Sequence, residues 1–170
     1  MSSLRSNLVV FNAQCQWSWA PPLAGNEHRP TDAQMAQYFA AGGKTWLGAA
    51  ANTIHWCGLF SLYILKISGV ACYWSGGIIP AGNQLVKHVM PSNISQFPGV
   101  HMGDVVVRSD PTSGEHFIII AQEVPPGKHS YSIWAIDGNS TGNPKDPRVR
   151  FATNWKHTTE KFKYWYSVEY

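Results

Sequence analysis

Cys57 stands in Ile54-His55-Trp56-Cys57-Gly58-Leu59-Phe60, at the head of an apolar run that continues to Lys66-Ile67-Ser68-Gly69. A thiol at the start of a helix meets the positive end of the helix dipole, which stabilises negative charge on sulfur. Such a thiolate becomes a catalyst when an imidazole holds and passes the proton and a polar group orients that imidazole. The chain carries candidates for both. His116 follows Ser113-Gly114-Glu115 and opens the strand-like run Phe117-Ile118-Ile119-Ile120, while Asp137 and Asn139 close the next such run in Ile136-Asp137-Gly138-Asn139. Pairing of the two runs as an antiparallel hairpin would bring His116 beside Asp137 and Asn139 at its open end. Taken singly, Cys57 reads better as a small buried hydrophobe, His116 as an edge residue and Asp137-Gly138-Asn139 as a turn. Their order and placement together point to nucleophilic catalysis.

Elements must hold these residues. Trp56, Phe60, Tyr63, Ile64 and Ile67 recur at three- and four-residue spacing, which predicts a core-packed helix capped by Asn52 or Thr53 and closed by Lys66 and Gly69. Thr31 with Gln34 forms a capping-box pattern ahead of a helix over Asp32–Ala41, stopped by Gly42-Gly43. Before it, Pro21-Pro22, Gly25-Asn26 and Arg29-Pro30 break residues 1–30, which read as irregular with a short element near Leu8–Phe11. Ala81–Met90 reads as a short helix before Pro91. After Pro98-Gly99 the pattern is strand-like: Asp104–Arg108, His116–Gln122, Ser130–Asp137, Val149–Ala152 and Phe162–Val168, separated by turn residues. The expectation is one domain over 1–170, irregular over 1–30, mainly helical over 31–90 and mainly strands over 100–170. Helices first and strands later make an α+β domain with an antiparallel sheet.

Composition narrows the partners. At 170 residues and 44% apolar, the chain can bury a core without disulfide staples, and its three cysteines are an odd count. Cys15 and Cys72 are read as structural thiols. A net charge of +3 with scattered Lys and Arg forms no stripe for nucleic acid. No stretch reaches membrane-spanning length, and Leu8-Val9-Val10-Phe11 is too short for a signal-peptide core. His88, His101, His129 and His157 are dispersed without ligand spacing, so no metal or cofactor is expected. Trp17, Trp19, Trp46 and Trp74 are expected to pack in the core, with a wall of a glycan or peptide groove as the alternative.

The motifs resemble a known family. Trp56-Cys57-Gly58-Leu59-Phe60 followed by Ile67-Ser68-Gly69-Val70 is similar to the cysteine motif of CHAP and NlpC/P60 enzymes, the papain-like peptidoglycan hydrolases. Gly103-Asp104-Val105-Val106-Val107, His116-Phe117-Ile118-Ile119-Ile120 and Ile136-Asp137-Gly138-Asn139-Ser140 resemble their later strands, in the family's order from about Thr53 to Arg150. The resemblance implies a papain-like fold with Cys57 as nucleophile and His116 as base, oriented by Asp137 or Asn139. It implies cleavage of a peptidoglycan amide, by an N-acetylmuramoyl-L-alanine amidase or a crosslink or stem-peptide endopeptidase.

The chain departs from the pattern in two places. Glu115 precedes His116 where glycine is common, and no glutamine stands upstream of Cys57 to supply an oxyanion donor. Backbone N–H groups at the helix start, with Asn52 or His55, are the replacements expected; His55 also reads as a cleft or capping residue. Trp56, His55, Asn52 and Glu115 are therefore the expected substrate-side residues. Without a visible export signal, the implied protein is made in the cytoplasm and acts on the wall of a target bacterium. It would be a toxin delivered by a type VI secretion system, with a cognate immunity protein over the Cys57 cleft, or a phage lysin released by a holin. The same residues also allow a toxin acting on protein amides as protease, deamidase or acyltransferase, or a scaffold that only binds.

Overall fold

The computed structural model describes residues 4–111, 114–127, 130–139, 141, 143–158 and 161–168. Helices α1 (Leu4–Trp19) and α3 (Cys57–Ile67) lie against a sheet assembled almost entirely from the C-terminal half, and α2 (Asp32–Ala41) packs on α3. The strands are β1 (Glu27–His28), β2 (Cys72–Trp74), β3 (Ile78–Pro80), β4 (Leu85–Val89), β5 (Val105–Asp110), β6 (Gly114–Ile120), β7 (Ser130–Gly138), β8 (Val149–Thr158) and β9 (Phe162–Val168). Seven of them form one antiparallel sheet in the order β1-β8-β7-β6-β5-β9-β4, and β2 pairs with β3 as a separate hairpin. The class is α+β.

Both faces of the sheet are covered, and the strand sequences show it. Val105, Val107, Phe117 and Ile119 bury on the helix side, while Val106, Ile118 and Ile120 bury against Phe97, Val100 and Val124 on the other. A strand buried on two faces reads as a continuous apolar run, which is why Phe117–Ile120 lacks alternation. The helix side forms the larger core, built on Tyr38, Phe39, Trp56, Phe60, Leu62 and Ile64.

Two expected elements are corrected. Residues 4–19, expected to be irregular, form the sixteen-residue α1. Its pattern is hard to read because Leu4, Leu8 and Phe11 are exposed while Gln16 is buried, accepting a hydrogen bond from Tyr38 Oη at 3.0 Å. The proline breakers all fall after its end. Ala81–Met90, expected as a helix, instead contains the edge strand β4, whose Leu85–Val89 pair with Val168–Tyr164 of β9. Val86 and Val89 favour a pleated strand, and His88 stacks on Trp165 at 4.9 Å and meets Ser167 Oγ at 2.7 Å.

Other expectations hold at the ends of α2. Thr31 Oγ1 accepts from Gln34 N at 3.3 Å, and Thr31 N donates to Gln34 Oε1 at 3.0 Å, completing the capping box. The strand expected over Val149–Ala152 runs on to Thr158, and that over Phe162–Val168 has those bounds.

Candidate active site

Cys57 is the first residue of α3 and is 3% exposed. The residue before the helix, Trp56, provides no side-chain cap, so neither Asn52 nor Thr53 closes this end as expected. The N-cap residue therefore offers the first N–H groups of α3 no side-chain acceptor. Close packing puts the helix start in place. A Cβ at Gly58 would come within 2.5 Å of the Trp74 ring, and one at Gly138, the last residue of β7, within 2.5 Å of Trp56. Trp56 is fully buried and stacks on Tyr38 at 5.9 Å. It locks the start of α3 to the end of β7, and its ring is part of the core rather than a substrate wall.

His116 sits third in β6, buried to 4% exposure, with Nε2 2.7 Å from Asp137 Oδ2. Asp137 has no exposure at all. Strands β6 and β7 pair antiparallel through Ile119↔Ile136, the register that carries His116 to the Asp137 end of β7. Since Asp137 occupies Nε2, Nδ1 is the nitrogen left for the His116–Cys57 hydrogen bond. Burial opposes charge on this imidazole, but hydrogen bonds and negative charge from Asp137 and Cys57 outweigh it, and its pKa is pushed up to about 9. The contrast with the buried Cys72 is direct: burial drives that thiol up to about 11, against the pull of the Lys66 charge.

Two arginines join the site. Arg150 faces Asp137 across β8 and donates to it from Nε and Nη2, both at 3.4 Å. Arg108 faces His116 across β5 and lies 3.7 Å from Asp110. Burial lowers its pKa, against which Asp110, Asp137 and Cys57 act. Neither arginine stands out in the sequence. The Arg108↔His116 pair follows from the Asp110↔Gly114 register of two strands close in the chain, whereas the longer connection from Gly138 to Val149 hides Arg150↔Asp137.

The other expected site residues disperse. Asn139 follows β7 with φ 57° and 1% exposure, and its Nδ2 donates to His55 Nδ1 at 3.2 Å; of the two candidates, Asp137 is the one that meets His116 Nε2. Asn52 is buried. Its Nδ2 donates to Ile54 O at 3.0 Å and Pro144 O at 2.8 Å, and its Oδ1 accepts from Ile54 N at 3.1 Å. Those bonds shape the loop before Cys57 and leave Asn52 no donor for an oxyanion. Glu115 accepts from Lys163 Nζ at 3.0 Å and Tyr164 Oη at 2.9 Å on β9, and those partners hold its pKa down against burial. It is not among the groups that raise His116. Trp17, Trp46 and Trp74 pack against the helix-side core, while Trp19 is exposed. His129 and the His157 side chain lie outside what the structure describes.

A buried imidazole held on one nitrogen by a carboxylate and on the other by a thiol can store the thiol's proton and return it to a leaving group. No family model, curated protein or solved structure matches the chain.

Proposed function

We propose that the chain is a cysteine hydrolase of papain-like fold that cleaves an amide bond in bacterial peptidoglycan. One observation carries the chemistry: a buried chain of contacts, Cys57 to His116 to Asp137, beginning at a helix start that no side chain caps. The choice of peptidoglycan rests on the four sequence motifs around Cys57, Asp104, His116 and Asp137.

The sulfur of Cys57 attacks the carbonyl carbon, and the C=O electron pair moves to oxygen. As that pair returns, the C–N bond breaks and His116 gives its proton to the departing nitrogen, leaving a thioester on Cys57. Water, losing a proton to His116, adds to the thioester carbon, and the C–S bond breaks to release the acid. Asp137 fixes the imidazole throughout and balances its positive charge.

The product of such a reaction is either a free muramoyl lactyl carboxylate or a shortened peptide, corresponding to amidase or endopeptidase. Delivery to another bacterium's wall, as an injected toxin with an immunity partner or as a lysin, belongs to the same reading. The experiment is digestion of purified sacculi with mass spectrometry of the released muropeptides. Wild-type protein should release fragments whose masses identify one bond, and Cys57→Ala should release none. Equal release by Cys57→Ala defeats the mechanism. Intact sacculi alongside cleavage of a protein amide would move the substrate to protein. A Cys57 alkylated no faster than a free thiol would leave only a binding scaffold.

A further inference from the structure

We propose that His55 is the oxyanion donor of this site and that Asn139 is the positioning residue that holds it, an inference resting on the cysteine-hydrolase reading above. Asn139 is the only non-glycine among the described residues with positive φ, at 57°. Its side chain is 1% exposed, and its Oδ1 is buried with no hydrogen-bond partner. A left-handed backbone and an orphaned carbonyl both weigh against the fold, and such departures concentrate where a site needs them. Against these stands the contact from Asn139 Nδ2 to His55 Nδ1, at 3.2 Å.

That contact decides the imidazole's chemistry. An amide nitrogen only donates, so His55 Nδ1 must accept, and the ring's proton sits on Nε2. His55 therefore presents Nε2–H on the edge away from Asn139. It is exposed, where a substrate can reach it, and it stands two residues before the nucleophile. Asn139, two residues past Asp137, anchors it at the end of β7 that also carries the carboxylate of the relay. Of the other residues expected beside Cys57, the Asn52 amide is committed to two carbonyls and the Trp56 ring is buried in the core. Paired with the uncapped N–H groups at the start of α3, His55 Nε2–H completes a two-donor hole for the oxygen that becomes negative.

The test separates two reactions of one thiol. Alkylation of Cys57 by iodoacetamide displaces iodide and forms no oxyanion. Acylation by p-nitrophenyl acetate passes through one: sulfur adds to the carbonyl, p-nitrophenolate leaves, and an acetyl thioester remains on Cys57. Both are followed on the full chain by mass spectrometry mapped to Cys57, which keeps Cys15 and Cys72 out of the signal. His55→Ala should slow acylation about 10- to 100-fold while alkylation changes less than about twofold, and His55→Gln, which restores an N–H donor, should recover most of the loss. Asn139→Gly keeps the left-handed backbone and deletes the amide. It should slow acylation about tenfold, and the double variant should be no slower than His55→Ala, because Asn139 acts only through His55.

Acylation and alkylation falling together in His55→Ala, or neither falling, overturns the inference. So does a wild-type Cys57 that is alkylated fast but acylated no faster than a free thiol. Losses in Asn139→Gly and His55→Ala that multiply in the double variant remove Asn139's positioning role. A wild-type Cys57 slow in both reactions instead sinks the hydrolase reading beneath it. His55 is exposed, so His55→Ala probes the donor without opening the core.

Discussion

Among the described residues, two imidazole–carboxylate contacts share one length. His116 Nε2 and Asp137 Oδ2 are 2.7 Å apart, and so are His101 Nδ1 and Glu123 Oε2. The side chains of the first pair are 5% and 0% exposed, those of the second 67% and 55%. Water and salt screen the outer pair, whose charges gain little from each other beyond what solvent already gives. The inner pair has no such solvent, so its charges are met by neighbours: Cys57 on one side, Arg150 and Arg108 on the other. At equal contact length, burial is what leaves the inner pair to be charge-balanced by protein groups instead of water. The outer pair does structural work instead, as Glu123 Oε1 accepts from Met102 N at 3.2 Å and His101 N donates to Asp104 Oδ2 at 2.9 Å.

Deleting the buried carboxylate should have the largest effect. Asp137→Ala leaves the His116 imidazolium and the Arg150 guanidinium without their shared counter-charge, and should lower the unfolding free energy by about 3–5 kcal/mol in urea titration. Asp137→Asn, of similar shape, should fold and yet lose on the order of 10³-fold in sacculus hydrolysis. Wild-type hydrolysis by Asp137→Asn would show that the inner pair is no relay, and the contrast with the outer pair would collapse.

Acidity provides the next measurement. His116 has a folded pKa of about 9 against an ordinary 6.5, so the folded protein binds its proton more tightly than the unfolded chain. The resulting stabilisation is complete below pH 6.5 and is lost as pH rises through about 9, and it is on the order of 3 kcal/mol. Urea midpoints across pH 6 to 10 should fall in wild type and fall less in His116→Gln. Parallel curves would show that the proton is not held as the geometry implies.

Arg150→Gln should act more mildly. Its two bonds to Asp137 are long at 3.4 Å, and loss of them should remove about 1 kcal/mol. Withdrawing a positive charge beside Asp137 favours the imidazolium further, so the His116 titration followed by NMR should move upward in pH. A downward move would mean that Arg150 does not act through Asp137.

Much of this site was visible in the chain, and the part that was hidden has physical causes. Cys57 at the head of an apolar helix, and His116 and Asp137 on neighbouring strands, follow from local pattern and a simple hairpin. Which of Asp137 and Asn139 touches His116 does not, because residues two apart differ only once the strand end and the left-handed turn at Asn139 are in place. Glu115 lies beside His116 in sequence, but its carboxylate is bound to Lys163 and Tyr164 on β9. The helix α1 was obscured for a related reason: it turns Leu4 and Leu8 outward and buries Gln16, so its polarity follows tertiary contacts rather than its own period.

The smallest expected effect lies on the outer pair, and it sharpens the comparison most cleanly. Glu123→Gln removes the charge facing His101 but keeps an oxygen that can accept from Met102 N. With both partners more than half exposed, solvent replaces the lost attraction, and stability should change by less than about 0.5 kcal/mol. The same one-charge change at Asp137→Asn strips a group with no exposure of the charge that holds His116 and Arg150. Urea titrations of the two variants at 50 and 500 mM salt should therefore differ in kind. The Glu123→Gln effect should vanish at the higher salt, while the Asp137→Asn effect should persist, because ions do not reach a carboxylate that water does not touch.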